Sequence, residues 1–150
     1  MPFVNKSPLL TRSLDGRNFV LAEALYYRDD DGTTYAVPEG SLSDGVSTPP
    51  VLWPSDPPFG VDRWYGGILH DASPAYRCTM LFWNVDHWSI PTLDFTACNN
   101  LLRRALTSQG MSQERADIYF AALEAAGIVA SVNDLAQPIG PLVMPPPPPA

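Results

Sequence analysis

Seventeen prolines in 150 residues limit where this chain can form regular structure. A proline has no backbone N–H to donate, and it biases the residue before it away from the helical region. Pro38, Pro49, Pro50, Pro54, Pro57 and Pro58, interleaved with Gly40 and Gly45, punctuate residues 38–58 too often for a helix or a central strand. That stretch reads as one long irregular loop, packed by its own aromatics Trp53 and Phe59. A loop of that length in a small domain is functional or self-packed. Residues 145–149 are five successive prolines, so they are extended and read as a polyproline II tail.

Regular elements are then confined to the segments in between. Residues 18–28 carry Phe19, Leu21 and Tyr27 on one face, with Val20, Leu25 and Tyr26 less regularly placed. The acidic turn Asp29-Asp30-Asp31-Gly32 follows, and then a β-branched and aromatic stretch over 33–37. Strand, glycine-containing turn, strand is a hairpin pattern. The aspartate triplet lacks the alternating spacing and closing Glu of a calcium loop, so it reads as a solvated turn. Asp62 is placed to cap a short helix over 63–72, with Trp64, Ile68 and Leu69 inward, and His70 and Asp71 in its last turn. Residues 75–91 hold Tyr76, Phe82, Trp83 and Trp88 among polar residues, with no period that selects helix or strand.

Two helices close the domain. Starting at Thr92 or Asp94, the stripes Ala97-Leu101-Ala105 and Cys98-Leu102-Leu106 recur at helical spacing as far as a stop at Gly110. Ser112 caps the next helix with Met111 as its staple, and Ile118, Ala122, Leu123 and Ala126 form its expected apolar face. The fold class is α+β. A single domain over residues 1–140 has an N-terminal β-hairpin or small antiparallel sheet, a long aromatic and proline-rich loop, and three helices packed on one face. The proline-rich tail occupies 141–150.

Charge excludes one large class of function. With only nine Lys and Arg against a net charge of −7, the chain lacks the basic surface that a phosphate backbone requires. Arg103-Arg104 is the nearest approach to a cluster. Cys78 and Cys98 are too far apart for a zinc knuckle and read as two reduced, buried thiols. No apolar run reaches the roughly 18 residues of a membrane span. The opening residues show no charged-then-apolar signal pattern, so a soluble protein without a signal peptide is expected.

One polar constellation stands out. Val37-Pro38-Glu39-Gly40, then Ser43-Asp44-Gly45-Val46-Ser47-Thr48-Pro49, then Gly66-Gly67-Ile68-Leu69-His70-Asp71 follow one another in a fixed order. This series resembles an uncharacterised small-domain family of bacteriophages and prophages. Its members read Val-Pro-x-Gly, Asp-Gly-Ala-Ser-x-Pro and, after an aromatic loop, His-Asp. The agreement runs from about Tyr26 to Asp71, and the paired helices fit the family's C-terminal part. The resemblance implies a phage-encoded accessory or structural protein, such as a virion tail or baseplate component. Its partners would be other phage structural proteins, with homo-oligomers possible, and its location the virion or the host cytoplasm. No cofactor is implied.

The His-Asp pair near a helix end is also similar, more faintly, to phospholipase A2-like sites. That similarity would make His70 the base that activates water, Asp71 a calcium ligand, and a further carboxylate the group that orients the imidazole, a role open to Asp44. Neutral histidine takes up a proton near pH 7, and calcium polarises an ester carbonyl. Counting back from Gly110, however, the family's orienting carboxylate falls at or near Asn99, an amide. Asp94 lies a turn too early, and Asp117 is on the last helix. Ala72-Ser73-Pro74-Ala75-Tyr76 replaces the Leu-Tyr that usually follows His-Asp, and there is no glycine-dense calcium loop. The alternative function is a phospholipase A2-like His-Asp hydrolase of lipid or cell-envelope esters, for which that similarity would make calcium the cofactor.

Against both stands a purely structural role, in which Asp44, Ser47, His70 and Asp71 tie the long loop to the helix. His87 reads as a packed, hydrogen-bonded histidine. Trp53, Trp64, Trp83 and Trp88 read as core and loop packing ahead of a sugar-binding face. The discriminating geometry is whether a carboxylate from Asp44, Asp94 or Asp117 reaches His70 beside an open pocket.

Overall fold

A computed structural model of the chain describes residues 3, 10–12, 19–43, 64–76, 78–126 and 142–149. In chain order the elements are β1 (Leu10–Arg12), β2 (Phe19–Leu21), β3 (Leu25–Arg28), β4 (Thr34–Val37), β5 (Leu42–Ser43), α1 (Trp64–Asp71), β6 (Leu81–Asn84), β7 (His87–Ser89), α2 (Phe95–Ser108) and α3 (Gln113–Ala126). The strands form two antiparallel sheets, β1-β2-β5 and β3-β4-β6-β7. With three helices the fold is α+β, as the sequence predicts.

The expected hairpin is β3–β4, in the register Leu25↔Val37 and Tyr27↔Tyr35. Gly32 closes its turn at φ +89°, a conformation that side-chain-bearing residues rarely adopt. The single strand expected over 18–28 is in fact two. At Leu21 the backbone N–H donates to Ser41 O at 2.8 Å, and Leu21 O accepts from Gly40 N at 2.8 Å, after which the chain crosses to the second sheet. The irregular reading of 38–58 also needs correction, because Leu42–Ser43 pairs with Phe19–Val20 as β5. A two-residue strand has no period of its own, and its partner lies far away in sequence. Residues 75–91 contain a second hairpin, β6–β7, with the cross-strand pair Trp83↔Trp88. Trp53, Phe59 and Asp62 lie outside the described residues.

β3 and β4 are covered on both faces. Leu25, Tyr27, Tyr35 and Val37 pack with Ile68 and Leu69 of α1 and Leu101 and Ala105 of α2 in the main core. Each fully buried side chain of this size contributes about 1.5–3 kcal/mol. Strand alternation and register place Tyr26, Ala36, Leu81, Trp83 and Trp88 on the other face. The proline-rich tail lies there, with Pro145 buried, so it is part of the packed structure and not a free extension.

Asp94 caps α2, its Oδ1 accepting from Ala97 N at 2.7 Å, and Gly110 lies just past the helix end at φ +102°. Ser112 Oγ accepts from Arg115 N at 3.2 Å at the start of α3. The inner face of α3 is Ala116, Tyr119 and Leu123, which cluster with Leu102, Leu106 and Met111. Ile118, expected to face inward, is 49% exposed. The two stripes of α2 explain the layering: Leu101 and Ala105 face the sheet, whereas Leu102 and Leu106 receive α3. The three helices therefore do not share one face, since α3 packs on α2. No helix among the described residues is long and apolar enough to cross a membrane.

The acidic turn is only partly solvated. Asp30 and Asp31 are exposed, but Asp29 is buried. Arg104 grips it with Nε to Oδ1 at 2.9 Å and Nη2 to Oδ2 at 2.8 Å, and Tyr27 Oη donates to Oδ1 at 3.2 Å. This two-pronged contact ties the sheet to α2 and fixes planar geometry as well as charge. Arg104→Gln leaves a buried carboxylate without its cation. Since the arginine side chain is 41% exposed, the expected loss is about 1.5 kcal/mol of unfolding free energy in urea. A loss below about 0.3 kcal/mol would mean that the fork does not hold the sheet to the helix.

Candidate functional site

The site begins with a close helix crossing. A Cβ on Gly66 would sit 3.1 Å from Leu106 Cδ2 and 3.2 Å from Gln109 Oε1, so glycine lets the α1 backbone rest on α2. Gly66 N donates to Gln109 Oε1 at 2.8 Å. One helical turn later, on the same side of α1, comes His70. Along α2 the facing positions run from Gln109 through Leu106 and Leu102 to Asn99, so the antiparallel crossing brings His70 onto Asn99. Ile68 and Leu69, on the adjoining face, anchor α1 in the main core.

His70 Nε2 lies 2.8 Å from Asn99 Oδ1. With the amide oxygen as acceptor, Nε2 carries the ring proton. The ring is 2% exposed, and Tyr76 covers it at a centroid distance of 4.6 Å with the planes tilted by 58°. Tyr76 is held by a turn in which its backbone N–H donates to Ser73 O at 3.0 Å. Burial drives the His70 pKa down to about 4, partly opposed by the bond to Asn99. Burial and the neighbouring Asp71 charge push the Tyr76 hydroxyl up to about 12. Both groups are neutral near pH 7.

Asp71, also buried, accepts from Ser43 Oγ at 2.7 Å. Since Ser43 belongs to β5, the contact ties the end of α1 to the first sheet. Asn99 is fully buried, and among the described residues its Nδ2 has no hydrogen-bond partner. Leaving such a group unpaired costs about 1–3 kcal/mol. Among the described residues no three His, Cys, Asp or Glu side chains converge in a way that could hold a metal ion.

The expected constellation is thus divided. His70 and Asp71 are adjacent on α1 but turn to different partners, and Asp44 and Ser47 lie outside the described residues. Asp94 is exposed and caps α2. Asp117 is exposed on α3, where it accepts from Gln113 at 2.8 Å and Arg103 at 3.4 Å. The partner of His70 is Asn99, the position that counting back from Gly110 reaches. Sequence reasoning missed Tyr76 as the cover and Ser43 as the partner of Asp71. Tyr76 in a segment without period and Ser43 in a loop-like one offered no local signal. His87, expected to be packed, is exposed with its Nδ1 2.7 Å from Asp86 Oδ1. The thiols are free, as expected of reduced cysteines, but only Cys98 is buried, and Cys78 is exposed.

Chemically, the pair is built for neutrality. A general base works best with a pKa near the operating pH and a path to the proton it removes. Here the imidazole is covered, weakly basic and backed by an amide that cannot stabilise an imidazolium as a carboxylate does. Fold and site together define a small α+β domain organised around a buried histidine–asparagine pair. Residues 19–123 match DUF1353, described as a protein of unknown function, and the chain belongs to that family. No curated protein and no solved structure matches it.

The neutral imidazole makes stability depend on pH. Because the folded-state pKa of His70 lies near 4 and its ordinary value is 6.5, its contribution is complete above pH 6.5. It is lost progressively as pH falls towards 4. The difference corresponds to about 3 kcal/mol. Urea unfolding between pH 7.5 and 4.5 is expected to show a steeper loss for wild type than for His70→Gln. Parallel slopes would mean that His70 does not titrate in this way.

Proposed function

We propose that this chain is a phage-encoded accessory or structural protein that works through protein contacts in a virion tail or baseplate. The observation that carries this reading is the state of His70, buried, covered by Tyr76 and bonded to an amide. Such a residue serves as an internal strut: it joins α1 to α2 while Asp71 joins α1 to β5. A buried, amide-bonded imidazole favours a scaffolding role over hydrolysis, and a scaffold acts through its outer faces. The ordered motifs from Val37 to Asp71 and their resemblance to phage and prophage domains support the virion setting, and the acidic balance fits protein partners better than nucleic acid. Family resemblance narrows the setting, and the site narrows the mechanism.

The alternative, a His-Asp hydrolase, requires His70 to reach water and substrate. Phospholipid and carboxylic-ester hydrolysis should be measured for wild type and His70→Ala, each with calcium and with chelator. No turnover above the uncatalysed rate is expected under any condition, and turnover lost in the variant would establish the hydrolase. Gradient-purified particles from an induced lysogen encoding the chain should contain it in fixed stoichiometry. Its absence from such particles would overturn the virion reading.

A further inference from the structure

The face of β3-β4-β6-β7 turned away from the helices carries an unusual set of groups. Tyr26 and Trp88 are separated in the sheet by β4 and β6, yet their ring centroids are 6.1 Å apart. The rings therefore converge across the two strands between them, and Trp83 supports Trp88 edge-on at 5.0 Å. Both outer rings present hydrogen-bond donors to one extended segment. Trp88 Nε1 donates to Pro145 O at 2.9 Å and lies 3.3 Å from Pro146 O. Tyr26 Oη donates to Pro146 O at 3.1 Å, and Arg28 Nη2 to Pro149 O at 3.3 Å. Just upstream, Val143 N donates to Glu39 O at 3.1 Å in an antiparallel bridge.

These contacts match the chemistry of a polyproline helix. Its carbonyls have no internal partners, its rings are apolar, and its stiffness leaves little entropy to lose on docking. A surface of aromatic rings with outward N–H and O–H donors meets all three properties. The site is also larger than its occupant. An open groove of about 440 Å³ remains beside the tail, lined by Ala22, Ala24, Tyr26 and Glu39 together with Met144 and Pro149. Tyr26, Arg28 and Trp88 lie within the residues matched to the family, whereas the tail lies outside them.

We propose that the Tyr26–Trp88 face is a polyproline-binding site, filled in cis by residues 142–149 and open to the same segment of a second copy of this chain. The second copy is the favoured outside occupant because it carries the sequence already seated on the face. The hydrogen bonds of the tail reach β3, β7 and Glu39, and they can be made whichever chain supplies the prolines. Residues 127–141, which join α3 to the tail, have a contour length of about 50 Å, enough to reach a neighbour. Exchange of identical segments is a low-cost route to a dimer. The inference is independent of the virion reading, because it rests on a different face and different residues.

The test uses the full-length chain and a labelled peptide of residues 142–150. In the Pro145→Gly/Pro146→Gly double variant the tail loses its stiffness and vacates the face, so the peptide should bind saturably. Wild type should bind it at least ten-fold more weakly, because the tethered tail competes at an effective concentration of about 1 mM. Adding Trp88→Phe, which keeps the ring but removes the donor, should weaken binding at least five-fold with the thermal transition retained. Wild type refolded at high concentration should yield a dimer that excess peptide dissociates. No saturable binding to a double variant with a cooperative transition would overturn the site. Exclusively monomeric wild type, or tighter binding of an unrelated proline-rich peptide, would overturn the second copy as occupant. If the double variant fails to fold, hydrogen exchange of the Trp88 indole N–H in wild type decides. Protection supports the docked tail, and exchange at the rate of a free indole overturns it.

Discussion

Gly66 lets the backbone of α1 settle onto Leu102 and Leu106, and the rest of the site depends on that approach. A side chain at this position would meet Leu106 and Gln109 within 3.2 Å. With the crossing in place, the next turn of α1 delivers His70 to Asn99, and Asp71 to Ser43. Ile68 and Leu69 simultaneously fill the core above β3 and β4. One small residue thus sets the distance at which a polar pair and an apolar core can both form.

The larger sheet is held from two sides by different means. On the helix side, apolar packing is supplemented by the Asp29–Arg104 fork, which fixes the hairpin turn to α2. On the outer side, Tyr26 and Trp88 would leave broad aromatic surface in water if nothing covered them, and the proline segment covers it. Exposed apolar patches of that kind usually mark contact sites. Here the chain supplies its own contact, with carbonyls that match the donors on the rings.

Much of the polar site was legible in sequence. His70 and Asp71 in the last turn of a short helix, the Gly110 stop and the amide at Asn99 all follow from local pattern and counting. What could not be read was the company they keep. Tyr76 covers the imidazole because the chain turns back after α1, and Ser43 meets Asp71 because β5 joins β2. Both depend on pairings between residues far apart in the chain. That company decides the chemistry: a histidine that would be a competent base in water becomes, under Tyr76 and beside an amide, a weakly basic strut.

Local residue chemistry by itself determined the β3–β4 hairpin, the capped helices α2 and α3, the extended prolines and the acidic surface. Each depends on interactions within a few residues: a glycine at positive φ, a capping side chain, a missing N–H, a helical stripe. Only the tertiary structure decided that Ile118 faces outward while Tyr119 is buried, that Asp29 is buried under Arg104 and that the tail docks on Tyr26 and Trp88. An apolar stripe records that a face must be covered but not by what. The covering partner is selected by shape and hydrogen-bond complementarity between segments that meet only when the whole chain has folded.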